Sequence, residues 1–140
     1  MGGIHLHYTV PGDDFTRAGE ASADLKLRLK KLGVPPTAIR KVSIALYEGE
    51  ITLAIHAGGG DIDVEITDDK VHMCLSDQGP GIADIALAMS EGYSTAPDEV
   101  RSLGFGAGMG LPNMKKYSDE FDIQSTVGVG TTVTMAVSTV

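Results

Sequence analysis

The chain has 140 residues, 42% of them hydrophobic, with 4 Tyr, 3 Phe and no Trp, which fits one globular domain spanning 1–140 with a workable core. Its 11 Lys and Arg are outnumbered by 19 Asp and Glu, a net charge of −8, and form no dense basic run, so non-specific binding to nucleic acid is excluded. Cys74 is the single cysteine; an internal disulfide is excluded, and its setting in Val71-His72-Met73-Cys74-Leu75 reads as a buried, inert thiol suited to a reducing cytoplasm.

The N-terminus carries no apolar stretch long enough for a signal peptide, and Leu6 stands where a myristoylation pattern needs Ser or Thr. No segment could span a bilayer, and no membrane partner is expected. Ile4, Leu6, Tyr8 and Val10 alternate with His5, His7 and Thr9, the pattern of a half-buried strand that Pro11-Gly12 ends. From Asp13 the period becomes helical: Phe15, Ala18, Ser22, Leu25, Leu29 and Leu32 recur at three or four residues, with Asp13 or Asp14 as cap and Gly33 as terminator. Lys26, Arg28, Lys30 and Lys31 form the solvated face of that helix. Pro35-Pro36 opens a second helix, apolar on more than one side at Ile39, Val42, Ile44, Leu46, Ile51, Leu53 and Ile55 and hence largely buried, which Gly58-Gly59-Gly60 stops.

Residues 62–66 and 71–75 read as strands joined by a turn at Asp68-Asp69-Lys70, followed by a short helix over 83–90 and a loop over 92–103. A glycine array comes next, then a helix over 111–117 and a hairpin of strands 121–126 and 131–137 through Val127-Gly128-Val129-Gly130. The order βααββα, loop, αββ predicts an α/β (α+β) domain: a two-layer sandwich with helices on one face of a mixed, mostly antiparallel sheet.

Two glycine-rich signatures carry the chemistry. Asp77-Gln78-Gly79-Pro80-Gly81 places one carboxylate on a tight turn whose glycines leave room for a flat ring, as an adenine whose amino group donates to Asp77 would require. Gly104-Phe105-Gly106-Ala107-Gly108-Met109-Gly110 has glycine at every other position and opens a helix, so unhindered N–H groups can meet a phosphate at its N-terminus. A plain strand-to-helix turn and a flexible loop are the bland readings of each alone; in this order the two point to a nucleotide pocket. No Lys-Ser or Lys-Thr follows the glycines and no strand immediately precedes them, which excludes a Walker A loop and a dinucleotide-binding βαβ unit. Arg101 is a candidate for a γ-phosphate contact, with a solvated loop charge as the alternative. His56 reads as a packed helix-end residue, and Tyr93-Ser94-Thr95-Ala96-Pro97 as turn chemistry rather than a phosphorylation site. The segment 92–103 is expected to be a lid that orders on nucleotide.

These motifs resemble those of the GHKL ATPase superfamily, named for gyrase, heat-shock protein 90, histidine kinases and mismatch-repair ATPases, with an Asp-x-Gly-x-Gly adenine motif and a lid ending in Gly-x-Gly-x-Gly. The resemblance runs over nearly the whole chain: Gly128-Val129-Gly130-Thr131-Thr132 is similar to the family's last adenine-side turn, where Thr131 would add a contact. The small size, the lack of a dimerisation helix and phospho-acceptor His, and the phrase Gly110-Leu111-Pro112 most resemble anti-sigma factor serine/threonine kinases and their switch-kinase relatives. The resemblance implies the Bergerat ATP-binding fold, ATP and Mg²⁺ as cofactors, and a helix motif Glu-x-x-x-Asn whose Glu is the general base and whose Asn holds the metal.

Here that motif reads Glu48-Gly49-Glu50-Ile51-Thr52, with Glu48 and Thr52 on one helix face but Thr52 in place of the Asn. A threonine hydroxyl can ligate magnesium but is shorter, so a shifted ion or a bridging water would be needed. The implied site is then Glu48 for catalysis, Thr52 for the metal, Asp77, Gly79, Gly81 and Thr131 for adenine, and Gly104, Gly106, Gly108, Gly110 and Arg101 for the phosphates. The implied function is a protein serine/threonine kinase acting on an anti-sigma-factor antagonist, with that antagonist or a sigma factor as partner and a homodimer within reach. A non-catalytic adenine-nucleotide-binding regulator is the rival, favoured by Thr52. A detached histidine-kinase ATPase domain fits less well, since nothing here presents a phospho-acceptor helix.

Overall fold

The computed structural model describes residues 3–12, 19–56, 58–79, 81–82, 89 and 110–140. Their order is β1 (Ile4–Pro11), α1 (Glu20–Lys31), α2 (Pro36–His56), β2 (Gly59–Ile66), β3 (Lys70–Ser76), α3 (Gly110–Lys116), β4 (Glu120–Thr126) and β5 (Gly130–Ser138). The expected helix over 83–90 and loop over 92–103 lie outside the described residues. The strands form one five-stranded sheet in the order β1-β2-β3-β5-β4. All four ladders among the described residues are antiparallel, in keeping with the mostly antiparallel sheet expected, and no parallel pair occurs among them.

Register decides which side chains meet the helices. Leu6, Val64, Met73, Met135 and Phe121 stand opposite one another across the five strands, and so do His7, Asp63, Cys74, Thr134 and Asp122 one residue on. Alternation sends these two rows to opposite faces. Val64, Met73 and Met135 are buried under the helices with Leu25, Leu29, Val42 and Leu46. The second row is on the open face, where His7 pairs with Asp63 at 2.8 Å and His5 with Glu65 at 3.2 Å. Cys74 is therefore half-exposed on the open face, not buried as its apolar neighbours implied. Helix α2 ends at His56, just before the expected stop at Gly58-Gly59-Gly60, and Gly59 and Gly60 already belong to β2, paired with Pro11 and Val10.

Helix α1 differs most from expectation. Its N-cap is Gly19, in a left-handed conformation at φ 105°, and no side chain of its own caps it. The expected helical start over 13–18, with its caps Asp13 or Asp14, lies outside the described residues. The cap comes from α2 instead: the Glu50 carboxylate accepts from the N–H groups of Gly19 at 2.9 Å, Ala21 at 3.1 Å and Ser22 at 2.7 Å. Glu50 is 2% exposed, on the same helical stripe as Val42, Leu46 and Leu53. Burying a carboxylate is costly unless its oxygens are filled, and free N–H groups at the positive end of a helix fill them. The interaction joins the start of α1 to the middle of α2.

Glu50→Ala leaves those N–H groups buried without an acceptor and is expected to destabilise the fold by about 3–5 kcal/mol. Glu50→Gln keeps the shape but turns an NH₂ toward N–H donors, and should cost about 1–3 kcal/mol. Urea unfolding of the three proteins checks the order; equal midpoints would show that the cap is not a principal constraint.

Candidate nucleotide site

β3 ends at Ser76, and the next residue turns the chain while still holding the sheet: the Asp77 N–H donates to the Thr131 carbonyl at 3.0 Å. The Asp77 side chain folds back on the turn. Its Oδ1 accepts from Gly79 N–H at 2.8 Å and from Thr131 N–H at 3.3 Å. This is an aspartate-stabilised turn, and it fixes the carboxylate plane. Oδ2 accepts nothing from the described residues.

Two glycines also hold the turn against the hairpin. Gly81 has φ +79° and Gly130 φ +147°, and an added Cβ would run into the carbonyls of Thr126 and Asp77 respectively. At these two positions glycine lets the turn and the β4–β5 hairpin pack backbone on backbone. Ser125, not anticipated from sequence, fastens the same junction: its Oγ accepts from Ile82 N–H at 2.7 Å and shares a hydrogen bond with the Thr131 hydroxyl at 2.8 Å. Its signal was its place in the hairpin, directly opposite Thr131.

The second wall is α2. Glu48 and Thr52 lie one turn apart, both half-buried, as their spacing predicted. The Thr52 hydroxyl donates to the Glu48 carbonyl at 2.9 Å, which uses its hydrogen and leaves its oxygen able to accept or to ligate. Burial pushes the Glu48 carboxyl above the ordinary glutamate range, and a hydrogen bond from the Asn113 side chain on α3 draws it partly back. Between them Gly49 has no room for a side chain: a Cβ would strike Leu75 and come within 3.3 Å of Met114 Cε. Four residues along α2, Leu53 approaches Gly60, and the Asp77 Cβ stands 3.3 Å from where a Gly60 Cβ would lie. Gly49 and Leu53 of α2 thus pack at the end of β3, where the Asp77 turn begins. Gly110 is the first residue of α3. Gly104, Gly106, Gly108 and Arg101 lie outside the described residues.

Among the described residues no group of three or more His, Cys, Asp or Glu is arranged to hold a metal. A shallow hollow of about 310 Å³ lies on the open face, lined by His5, His7, Asp63, Glu65, His72 and Cys74, and includes none of the expected site residues. No described helix is long and apolar enough to cross a membrane.

Known proteins agree with this architecture. The chain is 33% identical over 108 residues to the serine/threonine-protein kinase RsbT of Bacillus subtilis, covering 74% of this chain and 75% of that one. It is 33% identical over 136 residues to an anti-sigma F factor of Geobacillus stearothermophilus, covering 93% and 88%. In three dimensions it resembles the crystal structure of the RsbU and RsbW domains of Rv1364c from Mycobacterium tuberculosis, with a TM-score of 0.64 at 19% identity. That match covers 97% of this chain and 32% of the longer one. Residues 39–139, from the first turn of α2 to the last residues after β5, match the histidine kinase-, DNA gyrase B- and HSP90-like ATPases, and the chain belongs to that family.

Proposed function

We propose that this chain, as a single domain over 1–140, is an ATP-binding anti-sigma regulatory factor and a protein serine/threonine kinase acting on an anti-sigma-factor antagonist in the cytoplasm. The observation that carries the reading is the geometry of Asp77: one carboxylate oxygen is held by two backbone N–H groups, and the other accepts no donor from the described residues. An adenine amino group supplies such a donor, with Thr131 beside it and Gly79 and Gly81 shaping the turn. The α2 face fits the rest of the ligand, since Glu48 and Thr52 present oxygens one turn apart in partly desolvated surroundings. Gly104, Gly106, Gly108 and Gly110 would give N–H groups to the phosphates and Arg101 a charge.

Mg²⁺, when bound, neutralises charge on the transferred group; Thr52 would hold it, with water and phosphate oxygens completing a set that the described His, Cys, Asp and Glu do not supply. Glu48 takes the proton of the acceptor hydroxyl, and its partial burial gives it the proton affinity a base needs. The names of the relatives support an antagonist or a sigma factor as partner, and a second copy of this chain is a further candidate. A non-catalytic nucleotide-binding regulator is the second reading. It is favoured by Thr52, whose hydroxyl is already tied to the helix backbone where the family motif has an amide.

Asp77→Asn tests the adenine contact. Its oxygen must stay on the side of Gly79 and Thr131, so its NH₂ would face the adenine amino group, donor against donor. Calorimetry should show Mg-ADP binding weakened about 10- to 100-fold or more. Unchanged affinity, or no binding by the wild type at about millimolar concentrations, contradicts the site.

Glu48→Gln separates the two readings. In a kinase it should abolish transfer of labelled phosphate to antagonist domains while sparing nucleotide binding, and Thr52→Asn should tighten Mg-ATP and raise turnover. If the wild type and Thr52→Asn both bind ATP and neither labels an acceptor nor releases phosphate, the regulator reading replaces the kinase.

A further inference from the structure

Glu48 and Glu50 are two residues apart and have opposite fates. Glu50 is spent on the N-terminus of α1. Glu48 is half-buried at the nucleotide end of α2, and the side chain that meets it is Asn113, the fourth residue of α3. This meeting is a product of helix packing. Gly49 removes the side chain that would hold α3 away from α2, and Met114, 1% exposed, fills the space against it. Glu48 and Asn113 are the residues that directly precede this packed pair, one on α2 and one on α3. The backbone of α3 is itself fixed there: the Asn113 carbonyl accepts from Tyr117 N–H at 3.0 Å, and the Ser118 hydroxyl donates to the Met114 carbonyl at 2.6 Å.

We propose that Asn113 is a positioning residue for Glu48: its side-chain amide, presented by α3, holds the Glu48 carboxylate in the orientation from which it receives the acceptor's proton. The proposal rests on the kinase reading for its consequence, though not for the contact itself. An amide suits the task for two reasons. It donates to a carboxylate without bringing a cation that would suppress its basicity, and it carries both a donor and an acceptor, so it can still hydrogen-bond the side chain after the proton has arrived. A half-buried carboxylate without such a partner would sample several rotamers, and misplacing a base by about 1 Å can cost about 100-fold in rate.

The test has one arm that needs no turnover. In the full-length protein the Asn113 side-chain NH₂ should give one ¹H–¹⁵N signal displaced downfield and protected from solvent exchange, and Glu48→Ala should abolish both features. In the kinetic arm, Asn113→Leu should lower kcat about 10- to 100-fold with KM for ATP unchanged, and Asn113→Gln should recover part of the loss. If Asn113→Leu does not fold, Asn113→Asp, of the same size, should show the same kcat loss by setting a second carboxylate against Glu48. An NH₂ signal indifferent to Glu48→Ala overturns the proposal whatever the kinetics. A responsive signal in a protein without phosphotransfer upholds the contact and removes the kinase reading alone.

Discussion

The buried carboxylate of Glu50 is the constraint on which the helical layer depends. It sits at 2% exposure on the apolar stripe of α2, and three backbone N–H groups at the start of α1 converge on it. Left alone, either partner would be costly: a charge without solvent, or helix-end donors without acceptors. Together they fix the start of α1 against one turn of α2, and the Gly19 backbone adopts φ 105° to allow it. The Ser22 hydroxyl closes the cap by donating to the Gly19 carbonyl at 3.1 Å.

That fixed turn of α2 also organises the site. Successive residues on a helix point about 100° apart, so Glu48, Gly49 and Glu50 address three different neighbours. Glu50 holds α1. Gly49 lets α2 settle on Leu75 of β3 and Met114 of α3. Glu48 is left on the remaining side, with Thr52 a turn further on and Asn113 across from it. The residue that stabilises, the residue that permits close packing and the candidate base are consecutive, so chemistry and stability at this point cannot be altered independently. The Asp77 turn is fixed separately, by the hairpin: Thr131 and Ser125 hold it through backbone and hydroxyl groups, and the close passage at Gly81 and Gly130 excludes other residues.

Much of the fold was legible because each element announces its own period. β1 alternates, α2 is bounded by Pro35-Pro36 and a glycine run, and the strands fall within a residue or two of the expected limits, β2 excepted at its start. What could not be read locally was whatever a distant segment decides. The acceptor at the start of α1 is supplied from α2, about thirty residues away, where no local pattern points to it. Cys74 lies in an apolar run, yet alternation turns it to the face that no described helix covers. In the site, Glu48, Thr52, Asp77 and Thr131 stood at readable spacings. Ser125 and Asn113 did not, because neither belongs to a motif and each matters only through its partner in space. Glu50 too had an unread signal: an acid on an otherwise apolar helical stripe demands buried donors.

The account's central claim is that the turn made by Asp77, Gly79 and Thr131 receives an adenine ring, independently of what happens at the phosphates. Titrating the ¹⁵N-labelled protein with adenosine, which carries no phosphate, tests it most directly. The account predicts saturable displacement of the Gly79 and Thr131 amide signals, with the open-face amides of His7 and Asp63 unmoved. Displacement confined to the open face, or none at adenosine concentrations up to about 10 mM, where even weak binding of about −3 to −4 kcal/mol would register, contradicts it.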